Sequence, residues 1–80
     1  PKFSASSLDS VYISKSLSFE QISKVLNLPK SDLVLLNPIY NKQRIHVEEG
    51  QKMLLVLPFG QAVNFNREEK EIYKYKEAVH

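Results

Sequence analysis

Apolar residues recur at helical spacing from residue 19 to residue 26, which places one apolar face on a first predicted helix. Ser18 precedes this stretch and Gln21 follows three residues later, a pattern that predicts a capping box, with Leu17 and Ile22 at the hydrophobic-staple positions. We expect the helix to end near Asn27, which tolerates the left-handed conformation. Its apolar face consists of Phe19, Ile22, Val25 and Leu26.

A second helix is predicted to begin between Pro29 and Ser31. Pro29 suits a first-turn position and Ser31 suits a cap, and the pattern does not choose between them. Leu33 and Leu36 share the apolar face of this helix, and the Asn-Pro pair at residues 37–38 ends it. The two helices are therefore short and need a third surface to bury their apolar faces.

Two stretches rich in β-forming residues flank the helix pair, at residues 10–14 and 52–57, and a shorter extended piece is predicted at 44–47. We expect the two longer strands to pair antiparallel, with both helices on one face. The second strand is continuously apolar, so it predicts cover on both faces. Met53, Leu55 and Leu57 face one way, and Leu54 and Val56 face the other.

The tail predicts a third helix over residues 66–79, with Asn66 as its cap and Glu69 completing the box. Its apolar stripe is narrow. We expect this stripe and nearby aromatic residues to cover the strand face that carries Leu54 and Val56. The residues assigned to that cover are Ile72, Tyr75, Val79, Phe59, Phe65 and Phe3.

Length and composition narrow the choice of function. Eighty residues predict one small domain without a deep active site, and the absence of cysteine excludes disulfides and thiolate metal sites. A net charge of +2 is too small to predict nucleic-acid binding. No apolar run is long enough to span a bilayer. We predict no cofactor and no metal site.

The order strand, helix, helix, strand resembles the LysM (lysin motif) domain. The resemblance extends over residues 10–58 and is moderately specific. It rests on Val11-Tyr12-Ile13, Phe19-x-x-Ile22-Ser23, Leu28, Leu33, Leu36-Asn37-Pro38, Gly50-Gln51-Lys52 and Val56-Leu57-Pro58. A closer resemblance is to the segment after the catalytic domain of Bacteroidetes-type membrane-bound lytic murein transglycosylases of type D. It is carried by residues 9–13, 17–27, 36–40 and 71–75.

The resemblance implies an α+β fold, with a βααβ LysM-like core, a two-stranded antiparallel sheet and an additional C-terminal helix. We expect an arm at residues 1–9, the LysM-like domain at 10–58 and an extension at 59–80. The implied function is a non-catalytic binding or spacer module of a cell-wall lytic transglycosylase, on the periplasmic side of the cell envelope. Its implied partners are peptidoglycan or chitin-like glycan strands containing N-acetylglucosamine, and the catalytic domain of the same chain.

The resemblance also implies a shallow glycan groove between two walls. The first wall is the loop Ser16, Leu17 and Ser18, and the second wall is the loop Pro38, Ile39, Tyr40 and Asn41. Ser16 and Leu17 stand where the family usually has glycine and aspartate. The residues also allow a purely structural interpretation: a staple and a cap in the first wall, and packing of Ile39 and Tyr40 against the helix pair in the second.

Other candidate residues favour ordinary surface roles. His46 lacks partners at metal-ligand spacing, and the adjacent Glu48 and Glu49 suit a solvated turn better than paired catalytic carboxylates. No glutamate is followed by serine, so the catalytic Glu-Ser pair of lytic transglycosylases is absent. We predict no catalytic residue in this chain.

Two other functions remain open. The first is a structural adaptor for protein–protein contact that has lost glycan binding, with Tyr12, Tyr40 or the tail helix as its contact surface. The second is a helix-turn-helix DNA-binding module, which the two helices and their tight turn allow. Residues 32–36 are mostly apolar and include a carboxylate, whereas base edges are read by polar side chains.

Overall fold

The computed structural model describes residues 8–75 and confirms the α+β class. A two-stranded sheet and three helices make up most of this part of the chain. The elements, in order, are β1 (Leu8–Ile13), β2 (Leu17–Ser18), α1 (Phe19–Leu26), α2 (Lys30–Leu36), β3 (Arg44–Ile45), β4 (Met53–Pro58) and α3 (Gln61–Lys74).

The main sheet pairs β1 with β4 antiparallel, from Leu8 opposite Pro58 to Ile13 opposite Met53. Val11, Ile13, Leu55 and Leu57 are buried on its inner face. All three helices contribute buried residues to this same core, which is therefore continuous from the sheet to α3. Its buried apolar members are Val11, Ile13, Leu17, Phe19, Ile22, Leu33, Ile45, Val47, Leu55, Leu57, Phe65 and Ile72.

The start and end of α1 are as predicted. Ser18 and Gln21 form a reciprocal capping box, and Asn27 ends the helix in the left-handed conformation at φ 57°. Neither alternative for the start of α2 is correct, because Pro29 is the N-cap residue rather than a first-turn residue and Ser31 lies inside the helix without capping it. Asn37 ends α2, as the Asn-Pro pair predicts.

A second, much smaller sheet was not predicted. Leu17 and Ser18 form β2, which pairs antiparallel with Arg44 and Ile45 of β3. The sequence pattern treats residues 15–17 as a simple connection, because two residues are too few to show an alternating pattern. This small sheet joins the loop before α1 to the loop after α2.

The predicted start of the third helix is wrong. Helix α3 begins at Gln61 rather than Asn66, after Gly60, whose φ of 87° suits only glycine well. Its first amides are bound from a distance, because a carboxylate oxygen of Asp9 accepts hydrogen bonds from the backbone of Gly60 (2.7 Å) and Ala62 (3.2 Å). A cap supplied by another strand leaves no local signal. The predicted end at Val79 lies outside the described residues.

The predicted position of α3 is also wrong. It packs against α1, β1 and β4, and buries Phe65 and Ile72 in the same core as the helix pair. It does not cover the outer face of the sheet, where Leu54 is 39% exposed. Phe59 is exposed as well, and Phe3 lies outside the described residues. An antiparallel sheet can leave one face in contact with water, so the continuous apolar run in β4 did not require a second cover.

Candidate functional site

Ser16 fixes the first wall to Val47, which lies two residues after β3. The Ser16 hydroxyl accepts a hydrogen bond from the Val47 amide (2.9 Å) and donates one to the Val47 carbonyl (3.3 Å). Ser16 itself is exposed. Its hydroxyl is thus available at the surface but is already used to hold two loops together.

The other two residues of the first wall have structural roles. Leu17 is 2% exposed and belongs to the core, which confirms its burial at the staple position. Ser18 is equally buried, and its hydroxyl accepts a hydrogen bond from the Gln21 amide (3.2 Å). Neither side chain is placed to contact a ligand in solvent, so the contribution of these two residues to a groove is limited to their backbone.

Asn37, the residue just before the second wall, attaches this wall to β4. The buried Asn37 side chain donates to the carbonyls of Leu33 and Val56, both at 2.9 Å, and accepts from the Val56 amide at 2.8 Å. The Asn37 side-chain amide therefore takes the place of a neighbouring strand along the outer edge of β4. It fixes the point at which the chain leaves α2.

A second attachment lies three residues later. The Tyr40 hydroxyl donates a hydrogen bond to the Leu54 carbonyl, and the ring packs partly against the core. Burial raises the pKa of Tyr40 further above neutral pH. The Tyr40 ring is therefore partly packed on the core, while its hydroxyl bonds to β4 rather than to the helix pair.

Apart from the half-buried Tyr40, the second wall is open to solvent. Pro38 and Asn41 are exposed, and Ile39 is 75% exposed. The alternative in which Ile39 packs against the helix pair is wrong. An isoleucine side chain that is exposed on a loop attached to β4 on both sides offers an apolar contact surface in a fixed place.

A strained turn connects the two walls. The Arg44 amide bonds to the Asn41 carbonyl (3.3 Å), and Lys42 and Gln43 both have positive φ, at 59° and 55°. The Gln43 carbonyl accepts a hydrogen bond from the Phe19 amide at 2.9 Å, at the start of α1. Two successive left-handed residues other than glycine cost energy and occur where the surrounding contacts hold them in place.

Sequence reasoning missed Lys42 and Gln43 as parts of this site. The polar triplet Asn41-Lys42-Gln43 is typical of a turn, but it does not show which residues adopt positive φ. The structure brings the first wall against residues 43–47 through Ser16 and the β2–β3 pair. It connects the second wall to the first through the turn at residues 41–44.

Residues 7–74 match the family model for the LysM-like domain of the lytic transglycosylase MltD. The chain belongs to this family. The matched region includes β1 and all of α3, so the third helix lies within the family's own extent. No curated protein and no solved structure matches the chain.

Membership explains the broad function of this LysM-like domain. LysM domains are binding modules rather than catalytic ones, and the family binds glycans. The MltD family points to peptidoglycan as the glycan and to the cell envelope as the place. Among residues 8–75, no helix of the LysM-like domain is long and apolar enough to cross a membrane.

The remaining candidates of the LysM-like domain have ordinary surroundings. The exposed His46 ring lies within hydrogen-bonding distance of the Glu48 carboxylate, and within the described part of the chain no group of three or more His, Cys, Asp or Glu residues could hold a metal ion. Helix α2 exposes Val34 and Leu35, whose side chains have no hydrogen-bonding groups for base edges.

Proposed function

We propose that this LysM-like domain binds N-acetylglucosamine-containing strands of peptidoglycan, or chitin-like glycans, and holds a lytic transglycosylase catalytic domain of the same chain beside them on the periplasmic side of the envelope. We further propose that residues 10–58 carry the binding core and that residues 59–80 form an extension of it. The observation that carries the glycan proposal is the exposed Ile39, held between the Asn37 and Tyr40 attachments to β4, in a family that binds glycans.

The second wall supplies the contacts in this proposal. The apolar face of a sugar ring packs on Ile39, and the N-acetyl group bonds to the backbone amide of Ile39 or Asn41. The Tyr40 amide already donates to the Asn37 carbonyl at 3.2 Å. The first wall contributes its backbone, since Leu17 and Ser18 are buried and the Ser16 hydroxyl already bonds to Val47 in both directions. A shallow site of this kind binds one sugar unit weakly. Weak binding suffices for a tether, because attachment to a long glycan raises the local concentration of a linked domain.

The direct test is a titration of ¹⁵N-labelled protein with chitin oligosaccharides and, separately, with peptidoglycan oligosaccharides, followed by backbone amide NMR shifts. We expect saturable shifts in the second wall at Ile39, Tyr40 and Asn41, and smaller ones in the first wall. Absence of saturable shifts at millimolar sugar, or shifts confined to α3, would contradict the proposal.

A matched pair of variants separates a specific contact from general surface hydrophobicity. Ile39→Ser removes the proposed sugar platform, whereas Val63→Ser changes a similarly exposed residue on α3, which is 67% exposed. We expect the first substitution to weaken sugar binding at least fivefold and the second to leave it unchanged. Equal affinities for the two variants would exclude Ile39 as the platform.

A second candidate function, the structural adaptor for protein contact, is supported by the outer face of the sheet. Tyr12 and Leu54 are directly opposite each other on β1 and β4, and both are exposed, Tyr12 at 68%. Adjacent exposed apolar groups on a rigid sheet suit a protein partner. Adding the unlabelled catalytic domain of the same chain should then shift the amides around Tyr12 and Leu54, and Tyr12→Ser should abolish those shifts.

A further inference from the structure

The last turn of α3 contacts residues on both sides of the first wall. The Gln21 side-chain amide donates to the carbonyls of Ile72 (3.1 Å) and Tyr75 (3.2 Å), at the C-terminal end of α3. The Tyr73 hydroxyl donates to the Lys15 carbonyl at 3.5 Å, and the Lys15 ammonium lies 5.7 Å from the centre of the Tyr73 ring. Helix α3 therefore reaches the residue just before the first wall and the helix just after it.

Gln21 connects the first wall to α3 through its two ends. Its carbonyl oxygen accepts a hydrogen bond from the Ser18 amide (2.9 Å), which completes the capping box. That bond needs only an acceptor, so glutamate would serve equally well. The other end of the same side chain, its NH₂ group, is the part that binds α3. Capping alone therefore does not require glutamine at this position, whereas the bonds to α3 do.

Helix α3 is itself held firmly enough to act as a support. Asp9 binds its first turn, Phe65 and Ile72 are buried, and Gln21 binds its last carbonyls. The Ile72 carbonyl also accepts from the Tyr75 amide (3.3 Å), so the Gln21 amide adds a second bond there and supplies one to the Tyr75 carbonyl, at a helix end where the last carbonyls lack a following turn. Because α3 is fixed at both ends and along one face, it can hold Gln21 and Lys15, which its last turn contacts, in a defined position.

We propose that α3 is a positioning element of the glycan site, with Gln21 as the positioning residue that fixes the backbone of the first wall and Tyr73 as its accessory. The inference rests on the proposed function and goes beyond it, because it assigns the extension after residue 58 a part in binding rather than a part in spacing alone. Neither residue touches the sugar. Both act through the position of residues 15–18.

Gln21→Glu isolates the proposed role. The carboxylate still accepts from the Ser18 amide, but it cannot donate to Ile72 and Tyr75, and its charge faces two carbonyl oxygens at the negative end of a helix. We expect amide hydrogen exchange at residues 16–18 to become at least tenfold faster, while exchange in β4 stays unchanged. We expect the affinity for chitin oligosaccharides to fall at least threefold.

Two further variants complete the design. Gln61→Glu makes the same chemical change at the opposite end of α3, where the side-chain oxygen accepts only from Asn64, and it should alter neither exchange nor affinity. Tyr73→Phe keeps the ring under Lys15 and removes the bond to the Lys15 carbonyl, so it should give a smaller change in the same direction. If Gln21→Glu fails to fold, Tyr73→Phe still tests whether α3 positions the first wall.

Three results would overturn the inference. The first is unchanged exchange at residues 16–18 in both Gln21→Glu and Tyr73→Phe. The second is faster exchange with unchanged sugar affinity, and the third is an equal response to Gln61→Glu. Failure of the wild-type protein to bind sugar overturns the proposed function instead, and the exchange data, which need no sugar, then decide alone whether α3 holds the first wall.

Discussion

The two walls of the candidate groove are built in opposite ways. In the first wall the apolar residue Leu17 is buried, and the loop is bound to β3 by backbone pairing, to Val47 by Ser16 and to α3 through Gln21. In the second wall the apolar residue Ile39 is exposed, and the loop is attached to β4 by the side chains of Asn37 and Tyr40.

The difference separates placement from contact. Substitutions in the first wall remove packing or hydrogen bonds of the folded domain, so their main effect is on stability. Substitutions at the exposed positions of the second wall change the surface offered to a ligand and leave the core untouched. The two loops, which family resemblance treats as equivalent sides of one groove, should therefore respond very differently to mutation.

The sharpest contrast is between Leu17→Ala and Ile39→Ala. Truncating the buried leucine leaves a cavity, so we expect the free energy of unfolding to fall by about 2–5 kcal/mol. Truncating the exposed isoleucine should change it by less than about 0.5 kcal/mol. Urea denaturation followed by circular dichroism measures both values, and similar losses for the two variants would refute the distinction between the walls.

The next largest effect concerns the attachment of the second wall. Asn37→Ala leaves the half-buried amide and carbonyl of Val56 without their partner, so we expect a loss of about 1–3 kcal/mol. Asn41→Ala, an identical change at an exposed position four residues later, should cost less than about 0.5 kcal/mol. A loss at Asn37 no larger than that at Asn41 would show that the loop is held by other contacts.

Local signals in the sequence account for what was predicted correctly here. The capping box at Ser18, the left-handed cap at Asn27 and the Asn-Pro stop each involve residues close together in the chain. Their hydrogen bonds or steric limits can therefore be anticipated from residue type and spacing.

The features that were missed depend on contacts between distant residues. The cap of α3 comes from Asp9, and the small sheet joins residues 17–18 to 44–45. The exposure of Ile39 next to the half-buried Tyr40 likewise follows from where β4 lies, because the Tyr40 hydroxyl bonds to Leu54. Residue type alone predicts neither the hydrogen-bonding partner of a side chain nor whether that side chain faces the core or solvent.

The turn between the walls offers a smaller test of stored strain. Gln43→Gly removes the penalty of a left-handed residue at φ 55°, so we expect the domain to become more stable by up to about 1 kcal/mol. Asn41→Gly, where φ is not positive, should instead destabilise it through added freedom of the unfolded chain. Thermal unfolding compares the two variants, and destabilisation by both would mean that the turn is not strained.

The smallest expected effect is a dependence on alkaline pH. Burial raises the pKa of Tyr40, and burial together with the nearby Glu69 raises the pKa of Tyr73. Because the folded values lie above the unfolded value near 10, this contribution to stability is complete below that pH and is lost as the pH rises through the folded values.

Urea denaturation between pH 9 and pH 12 measures this loss, with the pH limits chosen to bracket the usual tyrosine value of about 10. Tyr40→Phe and Tyr73→Phe should each reduce the steepness of the decline. A decline as steep in the double variant as in the wild-type protein would assign it to other groups.

The bonds from Asp9 to the start of α3 have a consequence for how the chain folds. Residues 9 and 60 are 51 positions apart in sequence, and β1 must also wait for β4 before it can pair. Such a fold has a high proportion of non-local contacts, which slows folding relative to helical bundles of similar size. On the ribosome, the apolar side chains of β1 emerge about 45 residues before their partner strand is complete. At typical synthesis rates they remain unpaired for roughly 2–9 s, and during that interval the nascent chain is most exposed to aggregation.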